Sequence, residues 1–234
     1  MPTVRKAARP RHARRRARVP ARFRSAPPAQ ERSRETVDRL VEAVEELLLT
    51  RMFEDISIQD IVRRAGRSVG SFYARFGSKE ALLPHLYQRY HDRLEASLHP
   101  RFQRVAWEKL DLRDTVAALV DWMIATYDER RGLIRVLALF ARTHPDALPA
   151  DVVAHRRRIY EPFVEVLLRH RAHIRHPDPE AGARYALYLA SCVVREKILF
   201  GDAPHSRITP LTREALRQET SRALLSYLTS EVLR

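Results

Sequence analysis

Apolar residues recur at helical spacing along most of the chain, and no stretch alternates apolar and polar residues as a half-buried strand should. From Ser33, residues Val37, Leu40, Val41, Val44, Leu47 and Leu48 fall on one face through Leu49, which predicts an amphipathic helix with Ser33 as its cap. Phe53 and Ile56 follow as expected core anchors. Ile58, Ile61, Val62 and Ala65 then stand at i, i+3, i+4 and i+7, opened by an S-x-x-D signal at Ser57 and Asp60 and stopped by Gly66. Ser68 offers a fresh N-cap, so a second short helix runs from Val69 to about Arg75. Two short helices joined by a tight glycine turn have helix-turn-helix spacing.

Ser78 restarts a helix, with Glu80 favourably placed at its N-terminus, and Leu82, Leu83, Leu86, Tyr90, Leu94 and Leu98 carry it towards Pro100. Pro84 inside this run predicts a bend. Five further helices are read at about 112–128, 132–143, 150–173, 179–200 and 211–233, separated by Pro, Gly or Asp. The fold class is all-α, with about nine helices. Residues 1–30 form an extension, 31–78 a three-helix helix-turn-helix domain, and 79–234 a second helical domain.

Composition changes this picture at one end. The 234 residues are 45% hydrophobic, enough for a sizeable core. No apolar run approaches the ~20 residues of a membrane span and no apolar leader is visible, so a cytoplasmic protein without membrane contact is expected. A single cysteine, Cys192, leaves no intramolecular disulfide and fits a reducing compartment. The net charge of +14 is concentrated in residues 1–30, which hold nine arginines, one lysine and no acid. That segment lacks periodicity and has nothing to bury. It reads either as a basic arm following DNA phosphates or entering a minor groove, or as a solvated tail or misplaced start. Because only four basic residues of the 43 are lysine, arginine richness by itself says little about specific chemistry.

The run from Ser33 to Leu83, above all SIQDIVRRAGRSVGSFYARFGSKEALL, resembles the N-terminal domain of TetR-type transcriptional regulators. The shared pattern is a Ser or Thr opening the second helix, an Ala-Gly turn, a Gly-x-x-Tyr-x-x-Phe recognition helix and a Ser-Lys-Glu start to the fourth. The resemblance implies docking on double-stranded DNA through Ser57, Arg67, Ser68, Val69, Gly70, Ser71, Tyr73 and Lys79. Gly70 removes a side chain where the recognition helix would meet the duplex, at ~1 kcal/mol relative to alanine. Ser68 and Ser71 are short donors near a helix N-terminus. Tyr73 can lay its ring on the core and its hydroxyl on a phosphate, Lys79 sits where only a nearby anion favours a cation, and Ser57 reaches phosphate by resemblance. Val69 suits a thymine methyl, while Arg67 is either a base contact or a solvated turn residue. Phe72 and Phe76 are read as core. One departure is Met52, which stands where the family usually has glycine, so the first helix must end without a left-handed residue.

Beyond residue 83 the likeness is only in number, length and order of helices. It implies a ligand-binding and dimerisation domain whose last two long helices pair with their copies in a homodimer. Tyr185, Leu189, Cys192, Val193 and Leu199 form one apolar stripe, and Leu216, Ala223, Leu224, Tyr227 and Leu228 another; the same residues suit an intramolecular core. An aromatic set, Trp122, Met123, Phe140, Tyr160, Phe163, Tyr188 and Cys192, could wall a pocket for a small, largely apolar effector, or simply pack. His170, His173 and His176 drift around their helix and read as surface histidines, so no metal or cofactor is expected. Neither a nucleophile elbow nor a phosphate-cradling loop nor H-E-x-x-H is present, and no enzyme activity is expected.

These readings converge on a regulator, as a repressor released from a palindromic operator by its ligand. The alternative is a low-specificity or architectural DNA binder driven by the basic tail. Measuring affinity for a defined duplex across salt, with and without residues 1–30, separates them. A regulator keeps its site preference on deletion and loses the salt-steep, non-specific part; a tail-driven binder loses most of its affinity and shows no preferred sequence.

Overall fold

The chain, described by a computed structural model over residues 31–230, forms ten α-helices among those residues and no strand. The Arg-rich segment 1–30, with its arm reading, lies outside them. The helices are α1 (Glu31–Leu47), α2 (Ile58–Ala65), α3 (Val69–Tyr73), α4 (Leu83–Phe102), α5 (Leu112–Glu129), α6 (Arg131–Thr143), α7 (Val152–Leu168), α8 (Pro179–Leu199), α9 (Pro204–Arg207) and α10 (Arg213–Thr229). The tenth, α9, is a single turn too short to leave a periodic signal.

Several boundaries differ from the sequence reading for local reasons. Ser33 lies inside α1 rather than capping it. After Leu47 the chain unwinds by i to i−3 bonds, Leu49 N to Glu46 O and Thr50 N to Leu47 O, so α1 ends without a left-handed residue and Met52 is tolerated. The bend expected at Pro84 is instead a change of helix type. A 3-10 turn at Lys79–Leu82 hands over to α4 at Leu83, leaving Pro84 in the first turn, where a missing N–H removes no helical bond. The proline interrupting α4 is Pro100. The segment read as one helix to residue 173 ends at Leu168, with a separate 3-10 turn at Arg171–His173.

Two apolar cores form. Leu40, Val44, Ile56, Ile61, Phe72 and Phe76 fill the first, closed by Leu82 and Leu86. Phe53 is buried beside them, and Phe72 and Phe76 meet at 5.5 Å between ring centroids. The second core packs α5, α8 and α10 on one another, with α7 across α8 and Trp107 at its edge. The two proposed dimer stripes split here. Leu199, Leu216, Leu224 and Leu228 are buried in the chain itself, whereas Tyr185 and Val193 stay exposed.

Helix α6 joins the cores. Leu133, Val136, Leu137 and Phe140 belong to the first core, although they lie far along the chain from α1. Its entry is set by Gly132: a Cβ there would stand 2.4 Å from the Leu48 carbonyl oxygen at the end of α1. Backbone cannot yield as a flexible side chain would, so only glycine allows α6 to lie this close. Gly132→Ala should cost about 1–3 kcal/mol, read as a lower urea midpoint at unchanged slope.

Candidate nucleic-acid interface and internal cavity

The helix-turn-helix is built by its caps. Ser57 Oγ accepts the Asp60 amide at 3.1 Å, and Asp60 Oδ2 accepts from the Ser57 amide at 3.1 Å and its hydroxyl at 2.7 Å, a complete capping box. Those bonds from Ser57, with Arg51 alongside at 3.1 Å, hold the Asp60 carboxyl down to about 2. Gly66 takes the left-handed φ of 62° that ends α2, and Ser68 caps α3 by accepting the Ser71 amide at 3.1 Å. The recognition helix is thus the single short run Val69–Tyr73, ending before the predicted Arg75.

On this frame the sequence-derived residues divide. Ser68, Val69, Gly70 and Tyr73 are exposed on one edge, Val69 at 41% and Tyr73 at 56%. Tyr73 rests its ring edge-on against Phe72 at 5.5 Å and directs no hydrogen bond to the described residues. An added Cβ at Gly70 would meet only Ser68 Oγ, at 3.9 Å, and its φ is not left-handed. Among the described residues, neither packing nor backbone geometry therefore asks for glycine at this position.

Other members have partners inside the protein. The Lys79 ammonium donates to the carbonyls of Phe53 (2.7 Å), Glu54 (3.3 Å) and Ile56 (2.8 Å) and lies 4.6 Å over the Phe53 ring. It locks the loop before α2, which explains a cation in a first helical turn without any phosphate. Arg67 reaches back to Glu35 of α1 at 3.1 Å, and Arg64 pairs with Glu46. The Ser57 and Ser71 hydroxyls donate to Asp60 and to the Ser68 carbonyl, the latter at 2.7 Å. Arg75 donates to the Ser71 carbonyl at 3.0 Å.

A cavity of about 250 Å³ lies behind this unit. It is walled by Tyr87, Tyr90, His91 and Leu94 of α4, Trp122, Met123, Thr126 and Tyr127 of α5, Ile134, Leu137, Ala138, Ala141 and Arg142 of α6, Arg156, Ile159, Tyr160 and Phe163 of α7, and Arg195 of α8. Of the expected wall residues, Trp122, Met123, Tyr160 and Phe163 are present. Phe140, Tyr188 and Cys192 are not: Phe140 turns into the first core and stacks on His144, Tyr188 is 61% exposed, and Cys192 sits half-buried on the outer side of α8. Sequence reading missed the α4 wall, although Tyr87, Tyr90, His91 and Leu94 stand at i, i+3, i+4 and i+7. Pro162 lies within the lining stretch of α7, where it deprives a carbonyl one turn earlier of its helical donor.

Burial governs the titrating groups around the cavity. It pushes His91 down to about 3, helped by the nearby Arg156 and His155, and pushes the Tyr127 hydroxyl up to about 12. Ser191 Oγ bridges the Tyr127 and Tyr160 hydroxyls at 3.0 Å each. No group of histidine, cysteine and carboxylate side chains suited to a metal occurs among the described residues. His170 bonds Thr115 at 3.0 Å, His173 is exposed, and His176 packs on Gly182. No helix among the described residues is long and apolar enough to cross a membrane.

Comparison with known proteins places this geometry. The family model described as bacterial regulatory proteins of the tetR family matches residues 40–86. A TetR-family transcriptional regulator from Agrobacterium tumefaciens is 18% identical with a TM-score of 0.56, over 85% of this chain and 100% of that one. A structure from Mesorhizobium loti assigned to the same family is 17% identical with a TM-score of 0.55, over 85% and 98%. At such identities the likeness shows the fold alone, and no curated protein matches in sequence. The matched residues run from Leu40 to Leu86, both in the first core, and contain the whole capped helix-turn-helix, so this helix-turn-helix segment is of the tetR family of bacterial regulatory proteins.

Proposed function

We propose that the protein is a homodimeric, ligand-responsive repressor that reads a palindromic operator through the edge formed by Ser68, Val69, Gly70, Ser71 and Tyr73. The observation that carries this reading is Gly70. It weakens a helix of only five residues, and nothing among the described residues crowds its missing side chain. A surface glycine kept at such a cost is accounted for by a partner that approaches from outside, as a DNA backbone does. Val69 and the Tyr73 hydroxyl flank it as an apolar contact and a phosphate donor. Lys79, Ser57 and Arg67 then act by holding the motif's shape, and the field of the Lys79 charge adds to phosphate attraction without a dedicated bond.

A short reading edge contacts few bases, which favours two copies spaced about 34 Å apart or a multiple of that. The exposed Tyr185, Tyr188 and Val193 of α8, with Tyr227 of α10 at 5.4 Å from Tyr185, supply an apolar surface for the second copy. Effector response would run through α6, whose residues line the cavity on one side and belong to the DNA-binding core on the other. A ligand that prefers one spacing of the two recognition edges shifts the population by no more than its differential affinity.

The test starts from duplexes selected from source-genome fragments by the full chain. Gly70→Ala should raise thermal stability, by up to ~1 kcal/mol, while lowering duplex affinity; unchanged affinity would rule out this docking. Tyr188→Asp should keep the fold, appear as a monomer by light scattering where the wild type is a dimer, and lose binding to duplexes carrying both half-sites.

A further inference from the structure

The wall of the cavity is unbalanced in charge. Arg142, Arg156 and Arg195 line it, and no aspartate or glutamate among the described residues does. Arg67, Arg89 and Arg135, also part-buried, have acids beside them: Glu35 for the first, Glu42 and Glu45 for the second, and Asp202 for the third. Arg156 instead donates Nε and Nη2 to one neutral group, the Tyr87 hydroxyl, at 3.2 and 3.0 Å. Arg195 has the Cys192 sulfur at 3.7 Å, and its Nε is buried without a partner. Neither has a carboxylate within ion-pair distance among the described residues. A part-buried guanidinium without an anion bears an uncompensated desolvation cost, which a bound anion would relieve.

Further donors at the same wall lack partners. Trp122 Nε1, Thr126 Oγ1 and His91 Nδ1 are buried without a hydrogen-bond partner among the described residues. His91 is held neutral partly by Arg156, as expected of a site already rich in positive charge. The rest of the wall is apolar, with Trp122 and Phe163 4.5 Å apart. The cavity's 250 Å³ falls below the range of about 300–1,000 Å³ usual for drug-sized ligands, so its occupant is small.

Resting on the regulator reading above, we infer that the effector is a small amphipathic acid, its carboxylate held by Arg156 and Arg195 and its aromatic or aliphatic body against Trp122 and Phe163. An entirely apolar molecule would leave both guanidinium groups and the unbonded donors uncompensated. A cationic one would be repelled.

The experiment uses the full chain without DNA and follows tryptophan fluorescence, Trp122 lying at the site. The probes are 1-naphthoate against its uncharged amide, 1-naphthamide, and octanoate against octanamide. At least one acid should bind ten-fold or more tightly than its amide. Arg156→Gln and Arg195→Gln should each bring the acid down towards its amide and leave the amide unchanged, with melting curves confirming the fold; if Arg156→Gln does not fold, Arg195→Gln decides. Equal affinity for acid and amide, an acid indifferent to the substitutions, or no binding of any of the four would overturn the inference. Duplex binding is scored separately. A chain that binds an acid but no operator leaves the ligand class standing and sinks the regulator reading, and one that binds an operator but no acid does the reverse.

Discussion

The architecture depends on the approach of α6 to the end of α1, where residue 132 has no side chain to hold the Leu48 carbonyl away. Through that contact the first core is completed by residues far along the chain, Leu133, Val136, Leu137 and Phe140. The DNA-binding helices therefore do not form a closed unit on α1 to α3 alone. Leu137 belongs both to that core and to the cavity wall, so repacking of the cavity is felt within one side chain of the helix-turn-helix. Because interiors are close-packed, such a shared residue transmits displacement rather than absorbing it. Glu45 reinforces the same joint from the other side: it is nearly fully buried on α1 and pairs with Arg89 and Arg93 of α4.

Within the motif, most polar groups are used to build shape. Ser57, Asp60 and Ser68 satisfy helix-end donors, the Ser71 hydroxyl donates to the Ser68 carbonyl, Lys79 satisfies three loop carbonyls, and Arg64 and Arg67 tie α2 and its turn to α1. What remains on the exposed edge is small: a valine, a glycine, a tyrosine hydroxyl and the free proton of Ser68. Such an edge can discriminate bases without supplying much affinity, since phosphate neutralisation dominates affinity. In the proposed dimer the second copy, with the charge concentrated before residue 31, would supply the rest.

Much of this was legible in the sequence because it is local. A capping box, a left-handed glycine and a serine N-cap act over three or four residues, so Ser57, Asp60, Gly66 and Ser68 announced α2 and its turn with correct boundaries. Helical periodicity likewise located every long helix. What was hidden is set by contacts distant in sequence. Lys79 looked like a phosphate ligand because the carbonyls it holds lie 23 to 26 residues earlier, in a loop with no pattern of its own. Phe140, Tyr188 and Cys192 share the aromatic or soft character of a pocket wall, but which side of a helix meets a cavity depends on rotation against neighbours. The arginines of the wall were masked by composition, since in a chain with 43 basic residues no single arginine stands out until its missing partner is seen.

The charge of the proposed ligand bears on how a small cavity can switch a dimer. Moving an equilibrium from 1:99 to 99:1 needs roughly 5.5 kcal/mol of differential affinity, more than an apolar molecule gains from modest differences in packing. An anion is more sensitive to geometry. Its interaction with two guanidinium groups in a water-poor site falls steeply if either group moves away, because the bonds are charge-assisted and directional. Arg156 stands on α7 and Arg195 on α8, while Tyr90 and Thr126 face the same space from α4 and α5. An acid bridging these helices would thus prefer one relative arrangement of them strongly, and α8 is also the helix whose exposed tyrosines face the proposed second subunit. The charged head would then set the arrangement of the dimer, and the apolar body would set which acids fit.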